Sequence, residues 1–278
     1  MTKIVKGKKI ARDIIREMKA EVENKKLTPR IDIFICAPNG AIESFVARKR
    51  RSAKRIGVQF VEHHLHESIT TEEIQAQVSA LHHKTNGIVI QLPMPEHIDT
   101  EKIINALPTT IDVDVLGEKT FTQFIQQQTP FEPPVAGAIR EILERHSIET
   151  HSKKAVVVGK GKLVGLPTII VLERLGCHVF AADSDTPTSE VAFHLKEADI
   201  IVSGTGVANL ITPEKIKDGV VLLDAGTSGN KAVLAGDISY DCEDKATLFS
   251  KTPGGIGPIT VAILYKNLIR ATVQQHTD

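Results

Sequence analysis

The chain has 278 residues, 41% of them hydrophobic and 24% charged, and its 34 acidic and 34 basic side chains cancel. These are the proportions of an ordinary globular protein with one large or two medium domains, and a chain without net charge has no global field that would draw it to nucleic acid or to an anionic membrane. The cysteines Cys36, Cys177 and Cys242 are too scattered for a metal-ligand pair or a disulfide framework, which favours a reducing cytoplasm.

The first half of the chain alternates helix and strand. Residues 1–23 predict a helix with intermixed charges rather than a signal peptide, and no apolar run approaches the length that spans a membrane. The elements that follow are a strand at 30–37, a helix at 41–56, a strand at 58–65, a helix that begins at Thr70 or Thr71, and a strand at 87–95. This alternation is typical of a parallel, doubly wound sheet.

A second region of the same kind follows a proline-rich stretch at 117–136. Its predicted elements are a helix at 135–146, a strand at 154–159, a helix at 167–176, a strand at 178–183, a further helix, strands at 200–206 and 220–226, and a last helix at 258–275. The sequence therefore predicts an α/β protein with two lobes, each built on a parallel sheet.

Histidines cluster at His63, His64 and His66, with His82 and His83 further along. Metal ligands have to converge, whereas these histidines fall on opposite faces of a strand and then on a helix. The pattern favours a solvated surface, so no metal site is predicted.

A glycine-rich turn is the strongest local signal for a ligand. In VVVGKGKLVGLP (156–167), Gly159, Gly161 and Gly165 lie between an apolar strand and an apolar helix. Glycines allow a close backbone approach to a pyrophosphate, and the N-terminus of a helix attracts its charge. The spacing is G-x-G-x-x-x-G rather than G-x-G-x-x-G, and a tight turn that binds nothing is the alternative.

An acidic residue supports the dinucleotide interpretation of this turn. Asp183 ends the next strand, 24 residues after Gly159, where a carboxylate would bind the ribose hydroxyls of NAD. Asp185 adds negative charge, and no arginine stands nearby to receive the 2′-phosphate of NADP. The charges therefore favour NAD over NADP.

Several motifs, taken together and in order, resemble a known family. GIVIQLPMP, IDVD, VVVGKGKLVGLP, LDAGT, GDI and TPGGIGPIT are similar to segments of the bifunctional methylenetetrahydrofolate dehydrogenase/methenyltetrahydrofolate cyclohydrolases, and the match runs from KGKKIA to the last helix. The resemblance implies oxidation of 5,10-methylenetetrahydrofolate to the 5,10-methenyl form and hydrolysis of that product to 10-formyltetrahydrofolate, in one-carbon metabolism and purine biosynthesis. It also implies a homodimer, whereas the cysteine pattern, the balanced charge and the lack of a long apolar run predict a cytoplasmic protein without a nucleic-acid or membrane partner.

The resemblance further implies a domain division. A folate-binding catalytic domain would comprise residues 1–117 and 258–278, and a Rossmann-like NAD(P)-binding domain residues 137–257. The two lobes would be separated by a cleft, with the last helix crossing back to the first lobe.

The family's helix motif Y-x-x-x-K falls on residues 45–49, so that Lys49 matches the catalytic lysine. A lysine in a closed cleft can have a lowered pKa and can activate the water that attacks the methenyl carbon. Gln91 would hydrogen-bond Lys49 and orient it, and Asp114 matches the carboxylate that binds the aminopyrimidine side of the pterin. These three residues form the predicted catalytic set.

The remaining implied contacts belong to substrate and cofactor. The predicted substrate-binding set comprises Phe45, Lys49, Gln91, Asp114, Gly255, Ile256 and Pro258. The predicted cofactor-binding set comprises Gly159, Lys160, Gly161, Gly165, Asp183, Ser184, Gly204, Thr205 and Thr227.

The chain departs from the family pattern at the site itself. Phe45 replaces the tyrosine of the helix motif and lacks its hydroxyl, and Val115 replaces the glycine of D-V-D-G. At the two positions of Lys160 and Gly161, the family usually has an arginine or another residue followed by a serine. Asp183 and Asp185 occupy positions that are often basic in the family. These departures bear on the coenzyme and on the hydrolytic step more than on hydride transfer, which depends mainly on positioning.

Three other interpretations compete with the bifunctional enzyme. One is an NAD-linked dehydrogenase with weak or no cyclohydrolase activity, and another is a silent folate- or nucleotide-binding homologue, against which Lys49, Gln91 and Asp114 argue. A generic 2-hydroxy-acid dehydrogenase would need a histidine–carboxylate pair, for which His194 is the nearest candidate.

Overall fold

Short, largely apolar segments form the central strands of two parallel sheets. The structure, a computed structural model, describes residues 1–38, 40–228 and 235–277. The strands are β1 (Lys3–Ile4), β2 (Arg30–Cys36), β3 (Gln59–Leu65), β4 (Gly87–Ile90), β5 (Lys154–Val158), β6 (His178–Ala182), β7 (Ile200–Ser203), β8 (Val220–Asp224) and β9 (Ala246–Ser250). The α/β class with parallel sheets is confirmed.

The helices that connect these strands follow the predicted order. They are α1 (Gly7–Asn24), α2 (Gly40–Ile56), α3 (Thr71–Ser79), α4 (Thr100–Asn105), α5 (Glu118–Ile125), α6 (Pro134–Arg145), α7 (Gly165–Arg174), α8 (Thr188–Glu197) and α9 (Ile256–Thr277), with short 3-10 helices at Pro213–Lys215 and Tyr240–Lys245. Thr70 caps α3, because its side chain accepts from the backbone of Glu73 while the Glu73 carboxylate accepts from the backbone of Thr70.

The chain divides into two units. Unit 1 comprises Met1–Ala11 and Val135–Thr260, and unit 2 comprises Arg12–Pro134 and Val261–Asp278. The predicted folate-binding domain included residues 1–11, whereas their contacts group them with unit 1. The reason is β1, which pairs in parallel with β9, with Lys3 beside Leu248 and Ile4 beside Phe249. The predicted helix over residues 1–23 is therefore wrong at its beginning.

In unit 2, a three-stranded sheet has the order β3-β2-β4. The middle strand is covered on both faces, so its apolar residues do not alternate with exposed ones: Ile31, Ile33, Phe34 and Ile35 are all at most 2% exposed, and Asp32, which lies among them, is also buried. Gln91 follows β4 directly, and its backbone N–H continues the ladder by donating to the carbonyl of Phe34. The end of β4 thus fixes the direction of the Gln91 side chain.

In unit 1, a six-stranded parallel sheet has the order β1-β9-β8-β7-β5-β6. The chain runs from β5 to β6 on one side and returns to β7 on the other, so the strand order reverses at β5. In open α/β sheets, ligands bind at the carboxyl end of the strands at such a switch point. The glycine-rich turn of residues 159–165 follows β5 at that position.

Several elements were not predicted from the sequence. Strand β9 and helices α4 and α5 are short, and α5 lies inside the proline-rich stretch that was interpreted as a connection. Strand β4 ends at Ile90, earlier than the predicted residue 95. None of these corrections changes the order of the strands that carry the predicted site residues.

The histidine cluster is only partly solvated. The ring of His63 stacks on Phe34 with centroids 4.6 Å apart, and its Nε2 lies 2.7 Å from Oδ1 of the buried Asp32. The solvated-surface prediction is therefore wrong for His63, whose side chain is 25% exposed, whereas that of His64 is 64% exposed. Within the described residues, no group of three or more histidine, cysteine, aspartate or glutamate side chains is arranged to hold a metal ion.

We expect Asp32→Asn to lower the free energy of unfolding by about 2–3 kcal/mol at pH 7, because Arg30 and His63 lose the charge that they share. Burial would raise the pKa of Asp32, but hydrogen bonds from Arg30, His63 and Thr85 outweigh it and hold that pKa below its ordinary value. The stabilisation is therefore present at neutral pH and is lost as the pH falls from about 4 through the lowered pKa.

Urea unfolding of both proteins between pH 7 and pH 3.5 measures this difference. The control is Glu21→Gln, which removes an exposed partner of Lys25 on α1 and should change stability by less than about 0.5 kcal/mol. A loss in Asp32→Asn no greater than that of the control would contradict the role assigned to Asp32.

Candidate active site

Unit 2 brings Lys49 and Gln91 together. Helix α2 buries Ile42, Val46 and Ala53 on one side, and Lys49 lies on that side because the four positions repeat at helical spacing. Its Nζ donates a 3.0 Å hydrogen bond to Oε1 of Gln91. The predicted hydrogen bond between these two residues is thus present.

The orientation of the Gln91 amide is fixed by a hydrogen bond from its nitrogen, Nε2. Gln91 is 7% exposed, and its Nε2 donates to the carbonyl of Leu92 at 2.8 Å. The amide nitrogen is therefore turned towards the backbone, and the amide oxygen is presented to Lys49. An amide held in this way accepts a hydrogen bond from the amine but gives it no charge.

Asp114 supplies the charge near this lysine. Loss of hydration on burial lowers the pKa of Lys49, and the negative charge of Asp114 opposes part of that shift. Burial likewise raises the pKa of Asp114, against the positive charge of Lys49. The amine is therefore easier to deprotonate than an exposed lysine, which is the property that a general base near neutral pH requires.

The loop that carries Asp114 is held by Asp112. The Asp112 carboxylate, 1% exposed, accepts from the backbone of Leu116 at 3.2 Å and of Gly117 at 2.9 Å. Val115, the valine at the family's glycine position, has a φ of +57°. That left-handed conformation is natural for glycine and strained for a β-branched residue.

The last helix supplies two polar contacts that the sequence did not indicate. Tyr265 and Asn267 on α9 are fully buried. The Tyr265 hydroxyl donates to the backbone carbonyl of Lys49 at 2.7 Å, and Nδ2 of Asn267 donates to that of Val113 at 2.9 Å. Helix α9 therefore holds the backbone of both segments that carry the charged site residues. A local sequence pattern cannot predict these contacts, because Tyr265 lies 216 positions from Lys49 and Asn267 lies 154 positions from Val113.

Phe45 lies one turn before Lys49 on α2 and is 42% exposed. The guanidinium of Arg48 sits 4.6 Å from the centroid of its ring, a cation–π distance. Phe45 therefore offers an aromatic face, already flanked by a cation, and no hydroxyl.

In unit 1, three strand ends assemble around the glycine-rich turn. The backbone of Gly159 donates to Ala182 at the end of β6, and that of Gly204 donates to Val158 at the end of β5. A side chain at Gly165 would stand 1.8 Å from the carbonyl of Gly159, so only glycine allows α7 to begin this close to the strand. A Cβ on Gly161 would meet no atom within 4 Å. The turn thus combines a tight backbone with open space beside it, as a bound pyrophosphate requires.

The predicted ribose-binding acid, Asp183, is already engaged. Its Oδ2 pairs with Nζ of Lys160 at 2.9 Å, and its Oδ1 accepts from the hydroxyl of Thr186 at 3.0 Å and from the backbone of Asp185 at 3.2 Å. Hydrogen bonds from Lys160 and Thr186 hold the pKa of Asp183 below its ordinary value. The ion pair was not predicted, and it links two residues of the predicted cofactor set.

The other predicted cofactor residues lie on the neighbouring loops of unit 1. Ser184 is exposed beside Asp183, while Gly204 and Thr205 follow β7 and Thr227 follows β8. A Cβ on Gly206 would lie 3.7 Å from the carbonyl of Thr227, so these two loops are neighbours.

The predicted substrate residues Gly255, Ile256 and Pro258 form the turn into α9 in unit 1. A Cβ on Gly255 would stand 2.1 Å from Oγ of Ser250, which accounts for a glycine there.

His194 does not support the hydroxy-acid interpretation. Within the described residues its ring stacks on Phe180 at 3.7 Å and meets Phe193 edge-on at 5.3 Å, and it forms no ion pair with a carboxylate.

Among the residues that the structure describes, no helix is both long enough and apolar enough to cross a membrane.

Comparison with known proteins matches both regions of the chain to one family. Residues 5–114 match the family model described as tetrahydrofolate dehydrogenase/cyclohydrolase, catalytic domain, and residues 133–276 match that of its NAD(P)-binding domain. A curated relative, the bifunctional protein FolD of Nitratiruptor sp., is 34% identical over 98% of both chains.

Solved structures agree with this match. The bifunctional FolD of Campylobacter jejuni superposes with a TM-score of 0.94 at 25% identity, over 99% of this chain and 100% of that one. The dehydrogenase-cyclohydrolase of Trypanosoma brucei, solved in complex with NADP and an inhibitor, superposes with a TM-score of 0.94 at 28% identity, over 100% of this chain and 99% of that one.

We expect Asp114→Asn to lower the pKa of Lys49 further, because the variant removes the negative charge that favours its protonated form. Competitive acylation with acetic anhydride over a pH series, read by mass spectrometry, measures this pKa, with Lys54 of the same helix as the internal reference. A Lys49 pKa that is unchanged or higher in the variant would contradict the coupling.

Proposed function

The chain belongs to the tetrahydrofolate dehydrogenase/cyclohydrolase family, and on this basis we propose that it oxidises 5,10-methylenetetrahydrofolate with NAD(P) and hydrolyses the methenyl product to 10-formyltetrahydrofolate. The observation that carries the proposal is the half-buried Lys49 amine, bonded to the fixed oxygen of Gln91 and coupled to the charge of Asp114. A surface cation would have neither the fixed acceptor nor the lowered pKa.

In the hydrolytic step, the neutral amine of Lys49 acts as the base. The oxygen of a water molecule adds to the methenyl carbon, and its proton passes to Nζ of Lys49. The bond from that carbon to N5 then breaks as the remaining hydroxyl proton moves to N5, so that the carbonyl of the formyl group forms on N10, and Nζ of Lys49 afterwards releases its proton to solvent. Gln91 keeps the amine in one direction throughout, so little rearrangement is needed when the proton arrives.

Asp114 has a second role in this proposal. Its ionised carboxylate accepts hydrogen bonds from the aminopyrimidine side of the pterin, which orients the substrate relative to Lys49. Two sets of hydrogen bonds to the backbone keep its loop in place: the Asp112 carboxylate accepts from two N–H groups of the loop, and the Asn267 amide donates to a carbonyl beside Asp114. Phe45 offers its exposed ring as a stacking face for the pterin.

Oxidation depends on the loops of unit 1. The turn of residues 159–165 and the N-terminus of α7 would hold the pyrophosphate, and Asp183 the ribose. The nicotinamide, when bound, accepts a hydride from the methylene carbon of the substrate. No side-chain acid or base of the chain is needed for that transfer, which depends on positioning.

For the coenzyme, NAD is the proposed preference. The positive charge of Lys160 is already paired with Asp183, and Asp185 places a further carboxylate beside the position of the 2′-phosphate of NADP. Like charge at that position disfavours the phosphate.

A second candidate is an NAD-linked dehydrogenase with weak cyclohydrolase activity. Phe45 favours it, since the residue one turn from Lys49 offers no hydroxyl for the proton transfer. The wild-type ratio of the two activities separates these candidates.

The oligomeric state, the cellular location and the metabolic pathway are also proposals. A homodimer, a cytoplasmic location, and participation in one-carbon metabolism and purine biosynthesis are supported by the motif resemblance, and the location also by the scattered, unpaired cysteines. The functional domains proposed from the sequence are residues 1–117 with 258–278 for folate and 137–257 for the nucleotide.

Lys49→Met should lower the hydrolysis of the methenyl substrate by at least about a hundredfold, because the base is removed, while nicotinamide reduction stays within about tenfold of wild type. Separate assays of the two steps measure this split. Lys54→Met, which removes an exposed cation from the same helix, is the control and should leave both rates unchanged. A parallel loss of both activities in Lys49→Met would make Lys49 a substrate-binding group instead.

Asp183→Ser should raise the ratio of kcat/KM for NADP to that for NAD by about ten- to a hundredfold, because it releases Lys160 for the phosphate. Lys160→Met in that background should remove the gain. Asp185→Ser, which removes an equal charge but leaves the Lys160–Asp183 ion pair in place, should shift the ratio less. A wild-type preference for NADP of tenfold or more would contradict the proposed coenzyme.

A further inference from the structure

Two buried carboxylates in unit 1 have no role in the proposed chemistry. Asp224 ends β8, in the LDAGT motif, and Asp237 lies in the GDI motif; both are fully buried. Buried carboxylates are costly unless many donors compensate them. Their hydrogen bonds therefore show what the two residues hold in place.

Asp237 holds the loop that follows β7. Its Oδ2 accepts from Oγ of Ser203 at 2.8 Å, from both N–H and Oγ1 of Thr205 at 2.6 and 2.9 Å, and from the N–H of Gly206 at 3.3 Å. A single oxygen thus collects four donors from residues 203–206. The loop contains Gly204 and Gly206, and glycines leave a backbone mobile unless it is restrained.

Asp224 in turn holds the backbone of Asp237. Its Oδ1 accepts from the N–H of Asp237 at 3.1 Å and from that of Gly226 at 3.1 Å, and its Oδ2 accepts from Ile238 at 3.3 Å. Burial and the neighbouring Asp237 raise the pKa of Asp224 to about 7. Near neutral pH the pair therefore avoids holding two full charges.

Glycines on both sides make room for the two carboxylates. A Cβ on Gly226 would stand 1.9 Å from Oδ1 of Asp237, and a Cβ on Gly236 would stand 1.7 Å from Oδ2 of Asp224. Oδ1 of Asp237 has no hydrogen-bond partner among the described residues. The carboxylate is thus oriented so that Oδ2 accepts all four hydrogen bonds from the loop, whereas Oδ1 accepts none from the described residues.

The held loop adjoins the glycine-rich turn. A Cβ on Gly159 would stand 2.8 Å from the carbonyl of Gly204 and 3.2 Å from the methyl of Thr205. A shift of the loop of about 1 Å would therefore reach the turn directly, and misplacement on that scale lowers catalytic efficiency strongly.

We propose that Asp237 is a positioning residue for the nicotinamide coenzyme, which sets the loop of residues 204–206 against the turn of residues 159–165. The inference rests on the proposed dehydrogenase function, and it assigns to Asp237 no contact with the reacting atoms. The step it controls is binding and orientation of the coenzyme. Hydrolysis of the methenyl substrate uses no coenzyme and is therefore an internal measure of correct folding.

Asp237→Ala leaves the donors of the loop without their acceptor. We expect it to raise the KM for the coenzyme at least tenfold, with cyclohydrolase turnover within twofold of wild type. Asp237→Asn keeps an oxygen acceptor and should recover most of the loss. Ser203→Ala removes one donor only and keeps the measurement possible if Asp237→Ala does not fold; it should raise the KM two- to fivefold. Ser239→Ala is the matched control, a serine of the same unit whose Oγ lies 3.3 Å from a different aspartate, Asp241.

A coenzyme KM within twofold of wild type in both Asp237→Ala and Ser203→Ala would overturn the inference. So would a parallel decrease of both activities in Asp237→Ala without recovery in Asp237→Asn, since that pattern indicates a purely structural residue. A wild-type protein that hydrolyses the methenyl substrate but neither binds nor reduces a nicotinamide coenzyme would overturn the proposed dehydrogenase, and this inference with it.

Discussion

Parallel strand pairing decides where the candidate site residues that follow β-strands lie. In a parallel sheet all strands end at the same edge, so residues that follow different strands become neighbours although they are far apart in the chain. Gly159, Asp183, Gly204 and Thr227 follow β5, β6, β7 and β8 of one sheet, and Gln91 follows β4 of the other. The buried β-strands are therefore the scaffold that positions these predicted site residues.

The two units differ in the charge that each has to stabilise: a buried amine in unit 2, and an anionic coenzyme in the proposed site of unit 1. In unit 2, burial has removed part of the hydration of Lys49, which lowers the pKa of its amine, while the oriented amide of Gln91 accepts a hydrogen bond from that amine and the charge of Asp114 opposes part of the shift. In unit 1, backbone N–H groups and glycines provide space and partial charge for an anionic coenzyme, and buried carboxylates hold the loops beside it. In the proposed mechanism neither arrangement calls for a metal ion, since Lys49 would accept the proton and hydride transfer would depend on positioning.

The sequence predicted the parts of this arrangement that have a local or a motif signal. The Y-x-x-x-K resemblance led to Lys49, which also lies on one side of a helical pattern, and the same family resemblance led to Gln91 at a strand end. It could not predict Tyr265 or Asn267, because a lone polar residue in an apolar helix gives no indication of which backbone it will reach. The same limit explains the Lys160–Asp183 ion pair and β1, a two-residue strand that pairs with β9 at the far end of the chain.

A chain that carries out oxidation and hydrolysis in sequence should show both steps in one reaction. Purified wild-type protein is mixed with 5,10-methylenetetrahydrofolate and either NAD or NADP, and the absorbance of the reduced nicotinamide and of the methenyl product is recorded together. We expect reduced nicotinamide to accumulate faster with NAD, while the methenyl absorbance rises and then decays as 10-formyltetrahydrofolate forms. Folded protein that reduces neither coenzyme, or that leaves added methenyl substrate to hydrolyse at its uncatalysed rate, would show that the chain does not carry out both steps.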